Sequence, residues 1–218
     1  MDPDQIVEGV TWFVVFLFST TLHEAGHAWA AYKLGDKTAY EGGQVSLNPL
    51  PHIRREPVGM VLIPLISYAM TGWMMGWASA PYDPEWAHRH PKRAALMSAA
   101  GPAANLLLVI ISGIAIRAGM ATGSFAESET SWMDGAAMPL FILFFLNLLL
   151  FAFNLLPVPP LDGSTILPMF MSDNAARRYR EFLHQPMFSL LGLLLAWKVF
   201  PYVFEPIRGF AFGLLGLQ

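Results

Sequence analysis

The sequence predicts an all-α polytopic membrane protein with four to six membrane-embedded helices, one small β-hairpin or extended segment and one re-entrant hairpin. Three observations carry that expectation. The first is composition: of 218 residues, 55% are hydrophobic and 13% charged, about half the charged share of an ordinary soluble chain. A soluble domain of this length cannot hide so much apolar surface, so the excess calls for a lipid bilayer. The second is segmentation: five apolar stretches each reach the roughly 20 residues that a helix needs to cross a hydrocarbon core. The third is where the charges sit, which is between the stretches and unevenly distributed.

Taken in order, the first stretch is Ile6–Leu34. The N-terminus carries Asp2, Asp4 and Glu8 where a cleaved signal carries Lys or Arg, and no small-x-small site precedes the "HEAGH" run, so the segment is expected to be retained. Thr38–Leu47 has β-branched residues and a Gly-Gly pair and reads as the short hairpin or extended edge. The second stretch, Val58–Ala80, contains Pro64, Gly72 and Gly76, places where it can bend. The third, Ala94–Ala118, opens on the small residues Ser98, Ala99, Ala100, Gly101, Ala103 and Ala104, which let helices approach closely in lipid. An acidic, Ser/Thr-rich loop, Thr122–Asp134, leads to the fourth, Ala136–Leu156. Pro157, Pro159 and Pro160 then break the helix. The fifth, Phe188–Leu217, is interrupted by Lys198, Pro201 and "EPIRG", leaving open one kinked helix or two. Residues 1–218 read as a single membrane-embedded domain, with a core at about 6–170 and a C-terminal helical segment at 186–217.

Basic residues follow the first stretch (Lys33, Lys37, Arg54, Arg55), the second (Arg89, Lys92, Arg93) and the fourth (Arg177, Arg178, Arg180). The positive-inside rule places these three segments in the cytoplasm and the acidic N-terminus and Thr122–Asp134 outside. Both ends of Val58–Ala80 then share a side, which favours a re-entrant hairpin over the alternative, an ordinary span with three basic residues stranded outside. Trp73, Trp77 and Trp86 are expected at an interface, and Met60, Met70, Met74 and Met75 in packing, since a thioether is a poor zinc donor. The net charge of −3 and the lack of any basic run exclude nucleic acid as a partner. With no cysteine, neither a disulfide framework nor a thiolate metal site is possible.

Within the first apolar stretch stands His23-Glu24-Ala25-Gly26-His27. Histidines at i and i+4 share a helix face, and two neutral imidazoles there can hold a zinc ion. Glu24, beside the first, can act on water held by the metal without being a ligand. By chance alone such a motif in a soluble helix is often a solvated face. In a membrane span three ionisable groups within one turn are costly and mark function, and a divalent cation offsets that cost.

A catalytic zinc site needs a third protein ligand and an open position. His52, His88, His90 and His184 lie in polar segments, with Glu41 and Glu56 beside the first span. Asp162, in "FNLLPVPPLDGS", differs: the prolines bring it to the edge of the membrane on irregular backbone, which survives there only if buried or lining a wet cavity. It reads either as the third ligand or as a capping Asp for "LDGSTILPMF". Asn154 reads as packing glue or as a donor to substrate or oxyanion, and Asn105 as packing or as a partner behind a metal ligand.

Three blocks in order, "HEAGH", "AGPAANLLL" and "NLLPVPPLDG", resemble the site-2 protease family of intramembrane zinc metalloproteases. "LNPLPHI" and "GWASAPYDP" resemble its compact bacterial-type branch. The similarity covers residues 10–165 and fades in the tail. It implies that His23, His27 and Asp162 bind one Zn2+ per chain, that Glu24 is the catalytic acid/base and that Asn154 belongs to the active site. It also implies a bacterial plasma-membrane location, a site towards the cytosol and transmembrane proteins or peptides as substrates. Two departures stand near the site: "HIRREPVGM" is more charged than usual, and Ser79 replaces a frequent lysine. A substrate must be unwound before it is cut, and Thr38–Leu47 is the expected edge for β-augmentation. Two rivals remain at this stage. A metal-containing transporter would spread charges along a pathway, and a non-catalytic pseudoprotease would bind single-span partners without cutting them.

Overall fold

A computed structural model describes residues 3–125, 137–183 and 185–217. It is helical, and among the described residues no strand is present. Helix α1 runs Pro3–Leu34, α2 Thr38–Glu41, α3 Pro49–Arg55, α4 Ile63–Thr71, α5 Pro84–Arg89, α6 Pro91–Ala121, α7 Met138–Asn154, α8 Asp162–Ile166, α9 Asp173–Leu183 and α10 Pro186–Leu215. A π-helical turn, Val58–Leu62, leads into α4.

Three helices, over Asp4–Leu34, Pro91–Ala121 and Met187–Leu215, are long and apolar enough to cross a membrane. At 1.5 Å per residue a 32-residue helix such as α1 is about 48 Å long, more than a bilayer core of about 30 Å. The outer faces are aliphatic: Ile110, Ile111 and Ile114 of α6 and Leu190, Leu191, Leu194 and Leu195 of α10 are all exposed. In water these faces would aggregate; in lipid they are solvated. The chain is an integral membrane protein.

α6 lies at the centre, packed along both α1 and α7. It is apolar nearly all round, yet Ser98, Asn105 and Ser112, seven residues apart, are buried. That spacing keeps them on one face, turned inward from lipid. Gly26 of α1 faces α6 so closely that a Cβ would lie 2.9 Å from the Ala100 carbonyl oxygen. The small-residue run therefore acts as expected, bringing the backbones of α1 and α6 together.

The second apolar stretch folds back on itself. The Gly72 amide caps α4 on the Tyr68 carbonyl in the left-handed conformation, φ 73°. The chain then returns extended, with the Trp77 amide donating to the Gly59 carbonyl at 3.1 Å. At the open end the Ser79 hydroxyl donates to Glu56 at 2.6 Å, and the Asp83 amide donates to Asp36 at 2.8 Å. At the far end Trp73 meets Trp12, ring centroids 5.8 Å apart. Both ends thus lie beside the C-terminus of α1 while the tip reaches back along it by about 33 Å at the helical rise.

Three expectations need correction or completion. Thr38–Leu47 is not a hairpin. The Asp36 carboxylate accepts from the Thr38 amide at 2.9 Å and its hydroxyl at 2.6 Å, which starts the helical turn α2. Gly43, at φ 72°, ends that turn rather than reversing a strand. No ladder edge is therefore available there for β-augmentation. Trp86 is not at an interface but buried with Ala30, Ala31, Ala94 and Met97. The fifth stretch is one helix, α10, with Pro201 and Pro206 inside it. Of the Thr122–Asp134 loop, the part beyond Phe125 lies outside the described residues, as does His184.

Candidate active site

Five helices and one returning segment meet around a cavity of about 280 Å³. α1 contributes His23, Glu24 and His27; the Ala78–Tyr82 returning segment, Met97 and Ser98 of α6, Asn154 at the end of α7, Asp162 and Thr165 of α8 and Arg180 of α9 complete the wall. His23 Nε2, His27 Nε2 and Asp162 Oδ2 form a small triangle with sides of 3.0, 3.1 and 3.3 Å. The potential ligand atoms of His23, Glu24 and His27 also lie within 4.8 Å of one another.

Asp162 is not a helix cap. The capping position of α8 belongs to Leu161, and no side chain caps there, so the carboxylate is free to turn towards the imidazoles. The proline-rich turn that carries it is clamped from outside. Gly192 of α10 lies so close that a Cβ would sit 2.0 Å from the Pro159 carbonyl oxygen. Leu161 itself packs with Leu156 and with Ala196 of α10. α10, though largely exposed to lipid, therefore fixes the turn.

A buried hydrogen-bond chain determines which nitrogen of His23 faces the cavity. The Leu143 carbonyl can only accept, so the Asn147 atom 2.7 Å away is its amide nitrogen, which also donates to the Ser19 hydroxyl at 2.9 Å. The Asn147 oxygen then accepts from the Asn105 amide nitrogen at 2.7 Å. This turns the Asn105 oxygen towards His23 Nδ1, and that nitrogen must be the donor. His27 Nδ1 likewise donates to the Met97 carbonyl at 2.9 Å. Both neutral imidazoles therefore present lone pairs at Nε2, aimed at each other and at a carboxylate.

Three converging lone pairs repel unless a cation lies among them, and that is the test of fit for a metal. Donors about 2.0–2.1 Å from a tetrahedral ion are about 3.3 Å apart; the triangle's sides approach that value and would open slightly. The donor chemistry, two imidazoles and a carboxylate, suits zinc. Each imidazole is also oriented by a carbonyl oxygen behind it, as metal-bound histidines are.

Glu24 is buried at 6% exposure and reaches the cavity, and no protein group among the described residues hydrogen-bonds it. Asn154 lines the same cavity, with its amide nitrogen donating to the Leu150 carbonyl at 3.0 Å. Asn105 is behind His23 and does not line the cavity.

Gly101 closes the site from α6. A Cβ there would fall 2.3 Å from His27 Nε2 and 2.6 Å from His23 Nε2, at the very atoms of the triangle. Gly101→Ala is expected to lower metal affinity about 10-fold or more, as disturbing ligand orientation does. Gly209→Ala, where a Cβ meets nothing within 4 Å, is the control and should leave metal content unchanged in an atomic-absorption measurement.

The family model for "Peptidase family M50" matches residues 118–196, the part that holds α7, the proline turn, α8 and α9. The chain is 36% identical over 155 residues to "Putative zinc metalloprotease YwhC" of Bacillus subtilis, covering 71% of this chain and 66% of that one. It is 30% identical over 200 residues to "Putative zinc metalloprotease Rip2" of Mycobacterium tuberculosis, covering 92% and 69%. This chain belongs to peptidase family M50. A Mycolicibacterium smegmatis protein, also named Rip2, is 29% identical over 195 residues, 89% of this chain and 70% of its own length. No solved structure matches. The M50 chain thus corresponds to about two thirds of each relative's length, and the site-2 protease resemblance read from its motifs is a family relation.

Arg180, Tyr82 and Thr165 line the M50 cavity and were not singled out as site residues from sequence. Nor were Asn147 and Ser19. Asn147 had a signal available: an amide in the middle of an otherwise apolar span needs partners. Arg180 had none, since its inward turn shows only in the burial of the α9 face that it shares with Ala176.

Proposed function

We propose that this protein is an intramembrane zinc metalloprotease that hydrolyses peptide bonds in or near transmembrane segments. The observation that carries the reading is the triangle of His23, His27 and Asp162 donors beside a buried, unpaired Glu24, within an apolar helix long enough to cross a membrane. A non-catalytic binder has no use for a carboxylate aimed into the cavity beside a metal site. A transporter would distribute its charges along a path rather than gather them at one point.

His23, His27 and Asp162 would hold the ion. When bound, zinc lowers the pKa of water towards neutrality and draws charge from a carbonyl oxygen. Glu24 is the general base that takes a proton from the attacking water and the general acid that returns it to the leaving nitrogen. One C–O bond forms, the C–N bond breaks, and the products are a carboxylic acid and an amine. Asn154 stands where its amide can meet the peptide or the developing oxyanion. Asn105, held by Asn147, keeps His23 in the tautomer that leaves Nε2 available. By the positive-inside rule the cavity opens on the cytoplasmic side, and Val58–Ala80 is a re-entrant hairpin.

Purified protein in detergent should contain about one zinc per chain and cut a model transmembrane peptide. A chelator should abolish cutting, and added zinc should restore it. A metal-free preparation with full activity would end the proposal.

A further inference from the structure

Arg180 sits on α9, where Arg177 is half-buried and Arg178 exposed, and is itself only 5% exposed. It shares the inward face with Ala176, at 0%, while Phe182 is left 50% exposed. The helix therefore turns a guanidinium inward and a phenyl ring outward, the reverse of ordinary burial preference. A buried cation is costly unless paired. The Tyr82 side chain lies beside it on the cavity wall, and among the described residues no carboxylate is within ion-pairing distance. Arg180 also borders an outer recess of about 250 Å³ that holds Glu85 and Glu181. Glu85 is paired with Arg89 at 3.2 Å, and Glu181 is exposed to solvent.

Arg180 lines the same cavity as Glu24 and Asp162. A divalent ion there is balanced by those two carboxylates, which leaves the guanidinium as the unbalanced charge. We propose that Arg180 is a substrate-binding residue that holds a carboxylate of the peptide lying in the cleft. A guanidinium fork matches a carboxylate with two parallel hydrogen bonds. The inference rests on the proteolytic reading of the cavity. That carboxylate has two sources: an Asp or Glu side chain flanking the scissile bond, or the new C-terminus created by hydrolysis.

Binding and cutting are measured separately, so that the two readings can fail separately. Zinc-loaded Glu24→Gln protein is titrated in micelles with peptide pairs differing only by Glu or Gln at each position flanking the scissile bond. It is also titrated with the N-terminal product peptide as its free acid and as its amide. One pair should favour the carboxylate by about 10-fold or more, the value of a charge-assisted hydrogen bond. Preference within a Glu/Gln pair identifies a side chain; preference for acid over amide identifies the product terminus. Adding Arg180→Gln should bring that ratio to about one while zinc content stays the same, and Arg180→Lys should restore part of it. Arg180→Glu should favour a Lys peptide over its Glu counterpart. A mere structural tie between α9 and Tyr82 would move none of these ratios. Equal binding of every pair, or a preference that survives Arg180→Gln, overturns the inference. Failure of wild-type protein to cut any peptide counts against the protease reading instead.

Discussion

Glu24→Gln is expected to slow peptide cleavage by about 10²–10⁴-fold, the range supplied by a positioned general acid/base, while zinc content remains that of the wild type. The amide keeps the size of the carboxylate, and Glu24 makes no hydrogen bond among the described residues whose loss would loosen α1. The triangle of donors consists of His23, His27 and Asp162 atoms, so the ligands proposed for the metal are untouched. The substitution removes the ability to take and return a proton. Parallel measurements on one preparation, metal by atomic absorption and turnover of a transmembrane peptide, separate the two effects. Undiminished turnover would remove Glu24 from the chemistry and leave a metal-binding membrane protein without a hydrolytic role. Loss of metal together with activity would make Glu24 a ligand instead.

Much of this arrangement was readable from sequence because lipid makes the rules strict. Few ionisable groups are tolerated in a span, so His23, Glu24 and His27 stand out against their neighbours. The prolines at 157, 159 and 160 marked the break that exposes Asp162, and the basic residues at both ends of Val58–Ala80 implied the fold-back. What the sequence left open required knowledge of neighbours distant in the chain. Spacing alone favours a ligand role for Asp162 over a cap only slightly, and it does not show that Leu161 takes the capping position. Thr38–Leu47 misled because β-branched residues and a Gly pair describe a hairpin only when no nearby side chain ties the segment into a turn; the Asp36 carboxylate does so by accepting from the Thr38 amide and hydroxyl. Trp86 looked interfacial because tryptophan usually is, whereas here alanines on α1 and α6 leave room to bury it. Arg180 is hardest to read, because the positive-inside rule treats every cytoplasmic arginine alike and gives no indication which one turns inward.

Asp162→Ala is expected to lower zinc affinity by more than about 100-fold, beyond the 10–100-fold that follows loss of a group behind a ligand. The reason lies in the donor count. Two imidazoles from one helix turn remain, one short of the three protein ligands that a catalytic zinc site uses. The fold should survive. The carboxylate caps nothing in α8, and the turn is held by Pro159 against Gly192 and by Leu161 against Ala196. Metal-free wild type and metal-free Asp162→Ala should therefore unfold at similar denaturant concentrations, while only the wild type gains stability on adding zinc, by the mass-action relation between ligand concentration and affinity. A variant that binds zinc as tightly as wild type would mean that the ion, if any, lies elsewhere, and the acid/base role of Glu24 would lose its partner.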